Sequence, residues 1–449
     1  MIGIIISIYL IIMLSMCFVK LRVGIALYLF YQMLIPFVNI NIGAIHLGAN
    51  FVNFFVFISL FVTYGNKISY FEYKSLLPFL FIFVAQLFLI PFQTELSLDI
   101  QINNFRLDIM SVLLLPFAMI NVMKFDKDAY KLLRNTLIIS IIIAVIYGIF
   151  LTLIPGINPW LIMILPLNND KFNFSYAQAL NDGRIFGRIS SVFSDVQAFG
   201  IVLIFSFCFI YSLIKPNKYN LLLLLLLLLL IIVAIFVSGI RTPILVLLVL
   251  VSIYLLLNNK VKLLFYIATI LLIVYYILIQ FPEMTVYFGS MFDPYSDDVK
   301  GSSFQLRMEQ LSEVRKTING NELTGLGYGW TSNYITTKGD HPILLAFESI
   351  IYKILCDSGI YGAVIWSIMV GFYFNYSIKN FNKRGSIILI VLLISYLSFT
   401  LITGDYGYMK YFLLFYVIII AGQEKKVIKT KTFLSQDYLS KNKFNSRID

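Results

Sequence analysis

The sequence predicts an all-α polytopic membrane protein with about 13 transmembrane helices and one long extracytoplasmic loop containing short amphipathic helices. Three observations lead there. Apolar residues make up 60% of the chain and charged residues 13%, with a mean hydropathy of +0.88, which no ordinary soluble domain shows. The apolar runs are continuous rather than alternating, which suits helices and excludes barrel strands. Between Phe281 and Pro342 that pattern stops for about sixty residues.

Crossing a hydrocarbon core of roughly 30 Å takes about 20 apolar residues as a helix. Candidate spans lie near 2–19, 23–40, 47–64, 76–92, 107–123, 136–155, 189–214, 219–238, 242–258, 262–280, 359–378, 386–403 and 407–422. Met1 to Val19 has neither the basic start nor the small-residue cleavage site of a signal peptide, and reads as the first span. The uninterrupted leucines from Leu221 to Leu230 read as lipid-facing span. The chain thus divides into a bundle over 1–280 (ten spans), an extracytoplasmic loop over 281–358, further spans over 359–422 and a basic cytoplasmic tail over 423–449.

Lys and Arg in short loops mark the cytoplasmic side. Lys20 and Arg22, Lys67 and Lys74, Lys124 to Arg134, Lys215 and Lys218, Lys260 and Lys262, and Lys379 to Arg384 fall in alternate connections. With the amino terminus outside, all of these share the cytoplasm with the tail, and the long loop lies outside. Residues 343–357 are apolar enough to suggest another span, but they carry Glu348, Lys353 and Asp357. Counting them would also move Lys379 to Arg384 outside. They therefore read as an amphipathic or re-entrant helix on the outer face. The net charge of +11 is explained by anionic lipid headgroups and calls for no nucleic acid.

Arginine offers a planar fork of donors matched to phosphate. Arg184 and Arg188 stand in GRIFGRISSVFSDVQAFG, Arg241 interrupts two apolar segments in FVSGIRTPILVLL, and Arg307 lies in SSFQLRMEQLSEVR, eight residues before Arg315. Converging at a membrane surface, they would suit a diphosphate. As isolated residues they would snorkel or form structural ion pairs. Of the two histidines, His46 sits in a turn with no chemical partner beside it. His341 follows Asp340 and precedes Glu348. A near-neutral base oriented by a carboxylate can accept a hydroxyl proton, with Glu348 and Asp357 either assisting or serving only as the polar face of an amphipathic helix.

No HExxH, CxxC or outer carboxylate cluster points to a metal, and no cofactor motif is present. Asp126-Lys127-Asp128 reads as a solvated cytoplasmic turn. GLGYGW lacks the Lys-Ser/Thr of a phosphate loop, and the cysteines at 17, 208 and 356 show no paired spacing.

Taken together, residues 184–365 resemble the O-antigen polymerase and ligase superfamily of bacterial envelopes. GRISSVFSDVQAFG, with Arg188 and Asp195, is similar to the family's Gly-Arg…Phe-x-Asp/Asn…Ala span start, and SGIRTPILVLLVL to its Ser-Gly-x-Arg start. LRMEQLSEVRKTINGNELTGLGYG resembles its Arg…Gly-x-Gly segment. HPILLAFESIIYKILCDSGIYG resembles its His-led helix ending in Gly-x-x-Gly. Pro342 and Val196-Gln197 depart from the usual residues at their positions.

The resemblance implies metal-independent glycosyl transfer from an undecaprenyl-diphosphate-linked oligosaccharide at the outer face of the bacterial inner membrane. Arg188, Arg241, Arg307, Arg184 and Asp195 are the expected substrate-binding residues, and His341, Glu348 and Asp340 the expected catalytic ones. Membrane lipids, a chain-length regulator and a flippase of the same pathway are the implied partners. A polymerase of repeat units is the leading expectation. A ligase onto lipid A–core uses the same donor chemistry, and a flippase would need mid-span polar residues and an internal repeat, which are not found.

Overall fold

The computed structural model describes residues 2–35, 40–42, 45–47, 49–65, 74–154, 158–164, 187–214, 221–278, 280, 304–403 and 406–423. It is a bundle of helices: α1 (Ile2–Val19), α2 (Leu21–Leu34), α3 (Ala49–Tyr64), α4 (Leu77–Leu89), α5 (Leu98–Val112), α6 (Leu114–Phe125), α7 (Ala129–Leu151), α8 (Pro159–Ile164), α9 (Val196–Leu213), α10 (Leu221–Val237), α11 (Arg241–Leu257), α12 (Val261–Leu278), α13 (Phe304–Thr317), α14 (Trp330–Lys338), α15 (Ile350–Asn380), α16 (Lys383–Ile402) and α17 (409–423). One antiparallel hairpin, β1 (Ile40–Ile42) with β2 (Ile45–Leu47), sets His46 opposite Asn41.

Among the described residues six helices are long and apolar enough to cross a membrane, and five apolar helices are shorter. Two boundaries differ from expectation. The span placed near 107–123 begins at Leu98, because α5 and α6 run together across Leu113. The helix expected over 343–357 starts late: residues 341–347 make a turn closed by a His341–Leu345 bridge, and Ile350 opens a helix that is broken at Gly359 before α15 runs on to Asn380. The reason is local: Leu345 and Phe347 take positive φ, which no helix accommodates.

The core runs along α17, whose residues Tyr411 to Ile420 are all buried. A helix apolar on every side belongs inside a bundle, and rings from Phe79, Phe205, Tyr373 and Tyr396 pack around Phe412. At the rim, Leu222, Leu223 and Leu226 of the leucine run are exposed, as are Ile4, Ile5 and Ile8 of α1.

The two ends of the bundle differ in chemistry. At one end Arg22 Nη1 bonds Asp126 Oδ1 and Asp128 Oδ2, each at 2.9 Å, Arg384 donates to the Ile214 carbonyl, and Tyr130 packs against Gly422. The expected solvated turn Asp126–Asp128 is therefore an ion-paired pin between α2 and the α6–α7 connection. Lys20, Lys379 and Lys383 flank the helix termini at this end. The opposite end collects the start of α9, the α10–α11 connection, the end of α16 and residues 318–349. Ser349 Oγ donates to the Leu401 carbonyl there at 2.8 Å, and Tyr408 Oη to Asp195 Oδ1 at 3.1 Å.

Candidate active site

A break in α15 organises the site end. Gly359 has φ 59° and ψ −154°, a backbone region essentially reserved for glycine. The break strips the helix there of its own hydrogen bonds, and buried backbone groups need partners. Residues 322–327 supply them. Leu326 N–H donates to the Cys356 carbonyl at 2.7 Å and Gly327 N–H to that of Asp357 at 3.3 Å. Ile360 N–H donates to the Glu322 carbonyl at 2.9 Å and Tyr361 N–H to that of Leu323 at 3.0 Å. The GLGYGW glycines thus serve a joint. A Cβ on Gly325 would lie 2.5 Å from the Ser358 nitrogen.

Side chains lock the joint from the α4–α5 connection, α5 and α14. Gln93 donates to the Thr324 and Asp357 carbonyls, while Tyr328 N–H donates to both Gln93 Oε1 and Gln101 Oε1 at 3.1 Å. Tyr328 Oη donates to Asp108 Oδ2 at 2.8 Å; burial first, and then that carboxylate, hold the hydroxyl well above its usual pKa. Asp357 is buried. Its carboxylate accepts from Thr331 N–H at 2.8 Å and Thr331 Oγ1 at 3.2 Å, and so anchors the start of α14. That is a structural use of Asp357.

Two of the expected arginines are brought to neighbouring segments. Ile189 N–H, next to Arg188, donates to the Ser238 carbonyl of the α10–α11 connection at 3.1 Å, three residues before Arg241. The Arg188 segment is held from its other side by Ser191 Oγ on the Ala144 carbonyl (2.6 Å) and Asn158 Nδ2 on the Ser191 carbonyl (2.6 Å). Both arginines are half-buried. Asp195 caps α9 by accepting from Ala198 N–H at 2.7 Å. Its oxygens also receive Tyr408 Oη and Ser194 Oγ, so its observed bonds position α9 against the chain before α17. Arg184 lies outside the described residues.

Arg307 and Glu348 pair directly, Nη2 to Oε2 at 3.0 Å, with side chains 19% and 36% exposed. The second guanidinium nitrogen, Nη1, is buried with no hydrogen-bond partner among the described residues, and so is Gln310 Oε1 one turn further on. Gln310 Nε2 donates to the Ile343 carbonyl at 3.2 Å, and Tyr352 Oη to the Arg307 carbonyl at 3.0 Å; α13 is thus stitched to the 341–348 turn. Arg315 is exposed on the last turn of α13, away from this contact.

The expected Asp340–His341 pair does not form. Asp340 is exposed and no hydrogen bond links the two. Instead His341 Nδ1 accepts the Leu344 N–H at 3.1 Å and the Ile343 N–H at 3.3 Å, inside a turn closed by two 2.9 Å His341–Leu345 backbone bonds. An acceptor Nδ1 puts the proton of the neutral ring on Nε2. The ring stands against Tyr334 at 5.4 Å and Phe347 at 6.0 Å, with Trp330 beside Tyr334 at 5.2 Å. Tyr334 and Phe347, like Gln93, Gln101 and Asp108, carried no motif in the sequence, and Trp330 only closes GLGYGW. Only the i, i+4 spacing of Trp330 and Tyr334 hints at a shared face.

Residues 225–367 match the family model described as O-antigen ligase, Wzy_C, which supports the O-antigen polymerase and ligase superfamily for this chain. The matched span contains Arg241, the Arg307–Glu348 pair, the His341 turn and the Gly359 joint, while Arg188 and Asp195 precede it. A search of curated proteins finds no match.

Proposed function

We propose that this protein is a polymerase of lipid-linked oligosaccharide repeat units. In this reading it moves a growing glycan from undecaprenyl diphosphate onto a sugar hydroxyl of an incoming lipid-linked repeat. The observation that carries the proposal is that the hydrogen-bonded segments of Arg188 and Arg241, and the Arg307–Glu348 pair with its His341 turn, lie at the same end of an apolar bundle. The family match supports an O-antigen polymerase or ligase type of function, acting on lipid-linked oligosaccharide in the membrane.

The chemistry needs two things of the protein. The acceptor oxygen attacks the anomeric carbon as the bond from that carbon to the diphosphate oxygen breaks, and the leaving diphosphate takes the electron pair. Arginines aimed at that diphosphate stabilise the charge as it develops, in a site sheltered from bulk water. Arg188, Arg241 and Arg307 take this role, with the planar fork suited to two oxygens of one phosphate. The acceptor hydroxyl must also lose its proton, to a group in the 341–348 turn. The basic end of the bundle faces the cytoplasm and the site faces outward, in the inner membrane of a bacterium.

A ligase that moves finished polysaccharide onto lipid A–core is the second reading, favoured by the description of the matched family. A deletion strain decides. Single repeats on the surface lipid support the polymerase; long polymer stranded on undecaprenyl diphosphate overturns it in favour of the ligase.

A further inference from the structure

We propose that Glu348, not His341, takes the proton of the acceptor hydroxyl, and that His341 holds that acceptor as a hydrogen-bond donor through Nε2. This assignment rests on the glycosyl-transfer reading above, for a polymerase or a ligase alike.

The lone pair of a neutral imidazole is its only place to receive a proton. In His341 that lone pair, on Nδ1, already accepts two backbone N–H groups at 3.1 and 3.3 Å, from Leu344 and Ile343. Those bonds lie inside the turn that the two His341–Leu345 backbone bonds close and that leads to Glu348. Taking up a proton at Nδ1 would turn an acceptor into a donor facing two donors, and both bonds would be lost. Nε2 carries a hydrogen and has none of the bonds described for this ring; it can donate to a sugar oxygen but cannot accept from a sugar hydroxyl. Tyr334 and Phe347 pack against the ring, and against each other at 6.0 Å, and so hold it from one side.

Glu348 has what His341 lacks. Only Oε2 is engaged, by Arg307 at 3.0 Å, and Oε1 has no hydrogen bond among the described residues. The side chain is 36% exposed, so a substrate can reach it. It lies seven residues after His341, on the far side of the same turn, and Ser349 ties that point to the end of α16. In the step itself the acceptor O–H proton passes to Glu348 Oε1 while the acceptor oxygen bonds to the anomeric carbon and the diphosphate departs. Arg307 fixes the carboxylate through Nη2, and its buried Nη1, without a partner among the described residues, is left to meet another oxygen.

The test uses the full-length protein in lipid nanodiscs with a synthetic undecaprenyl-diphosphate-linked repeat, measuring transfer rate, KM and donor binding against pH. Glu348→Gln keeps an oxygen for Arg307 but cannot take a proton. It is expected to bind donor normally and to lose about 10²–10⁴-fold in kcat. Glu348→Asp is expected to restore part of that loss. His341→Gln retains an amide donor close to the position of Nε2. It is expected to lose about tenfold, mainly in KM, and to keep the acid limb of the pH profile. The assignment is overturned if Glu348→Gln transfers at the wild-type rate, or if His341→Gln is as inactive as His341→Ala and its acid limb disappears. Should Glu348→Gln not accumulate, Glu348→Asp alone decides: a reduced kcat with an acid limb displaced from the wild type supports the assignment, and an unchanged profile ends it. Failure of the parent reading looks different, because the wild-type protein itself would then transfer no sugar to either repeat or lipid A–core acceptor.

Discussion

Replacing Gly359 by alanine should damage this protein more than any other glycine substitution along α15. The native backbone there, φ 59° and ψ −154°, costs a residue with a Cβ about 1–3 kcal/mol. The added carbon would also stand 2.5 Å from the Glu322 carbonyl oxygen and 2.6 Å from the Gly325 nitrogen. Both are backbone atoms of the loop that satisfies the broken helix, so relief means moving the loop. Moving it puts at risk the four loop–helix hydrogen bonds, each with a net contribution of about 0.5–1.5 kcal/mol. A combined loss of about 3–6 kcal/mol follows, a large part of the 5–15 kcal/mol typical of a folded domain. Gly371→Ala on the same helix is the control, since a Cβ there meets nothing within 4 Å and alanine favours helix. Thermal unfolding in detergent, with membrane abundance and polymer length, reads the outcome. Equal stability of the two variants would refute the joint.

The remaining predictions concern charge and sidedness. Arg188→Lys and Arg241→Lys should stop chain growth nearly as completely as the alanine variants at normal membrane abundance, because lysine loses the fork worth about 1.5–3 kcal/mol per charged bond; polymer ladders from each variant check this. Transfer by the purified protein should persist in EDTA, since the proposed function gives the charge neutralisation to arginines; activity abolished by EDTA and restored by one divalent metal would refute it. Asp126 is opposed by burial, but the Asp128 N–H and Arg22 hold its carboxyl below the usual range, so its stabilisation is present above the ordinary carboxylate pKa and is lost as pH falls through the lowered one. Melting temperature against pH should therefore drop less steeply at the acid end in Asp126→Asn. Cysteines at Lys379 and at Leu323, which is 70% exposed, should label from opposite faces in otherwise native protein, whose own three cysteines are buried.

Read alone, the sequence determined the membrane class, the order of the apolar helices and, among the described residues, the shared end of the basic connections, because hydropathy and loop charge are summed over many residues. It also marked Arg241, since charge among apolar neighbours is visible at a single position, and Arg188, Arg307 and His341 by residue type within short motifs. Partnership was not visible. Asp340 adjoins His341 in the chain, yet a turn with positive φ at Leu345 and Phe347 delivers backbone N–H groups to Nδ1 instead. Glu348 is 41 residues from Arg307 and bonds it across two elements. Likewise Asp357, Gly325 and Gly359 meet only because an interrupted helix must find hydrogen bonds for its freed backbone groups, and a loop some thirty residues upstream provides them. Composition and periodicity are properties of the chain, whereas an acceptor's choice of donor is a property of distance, and only the folded bundle sets those distances.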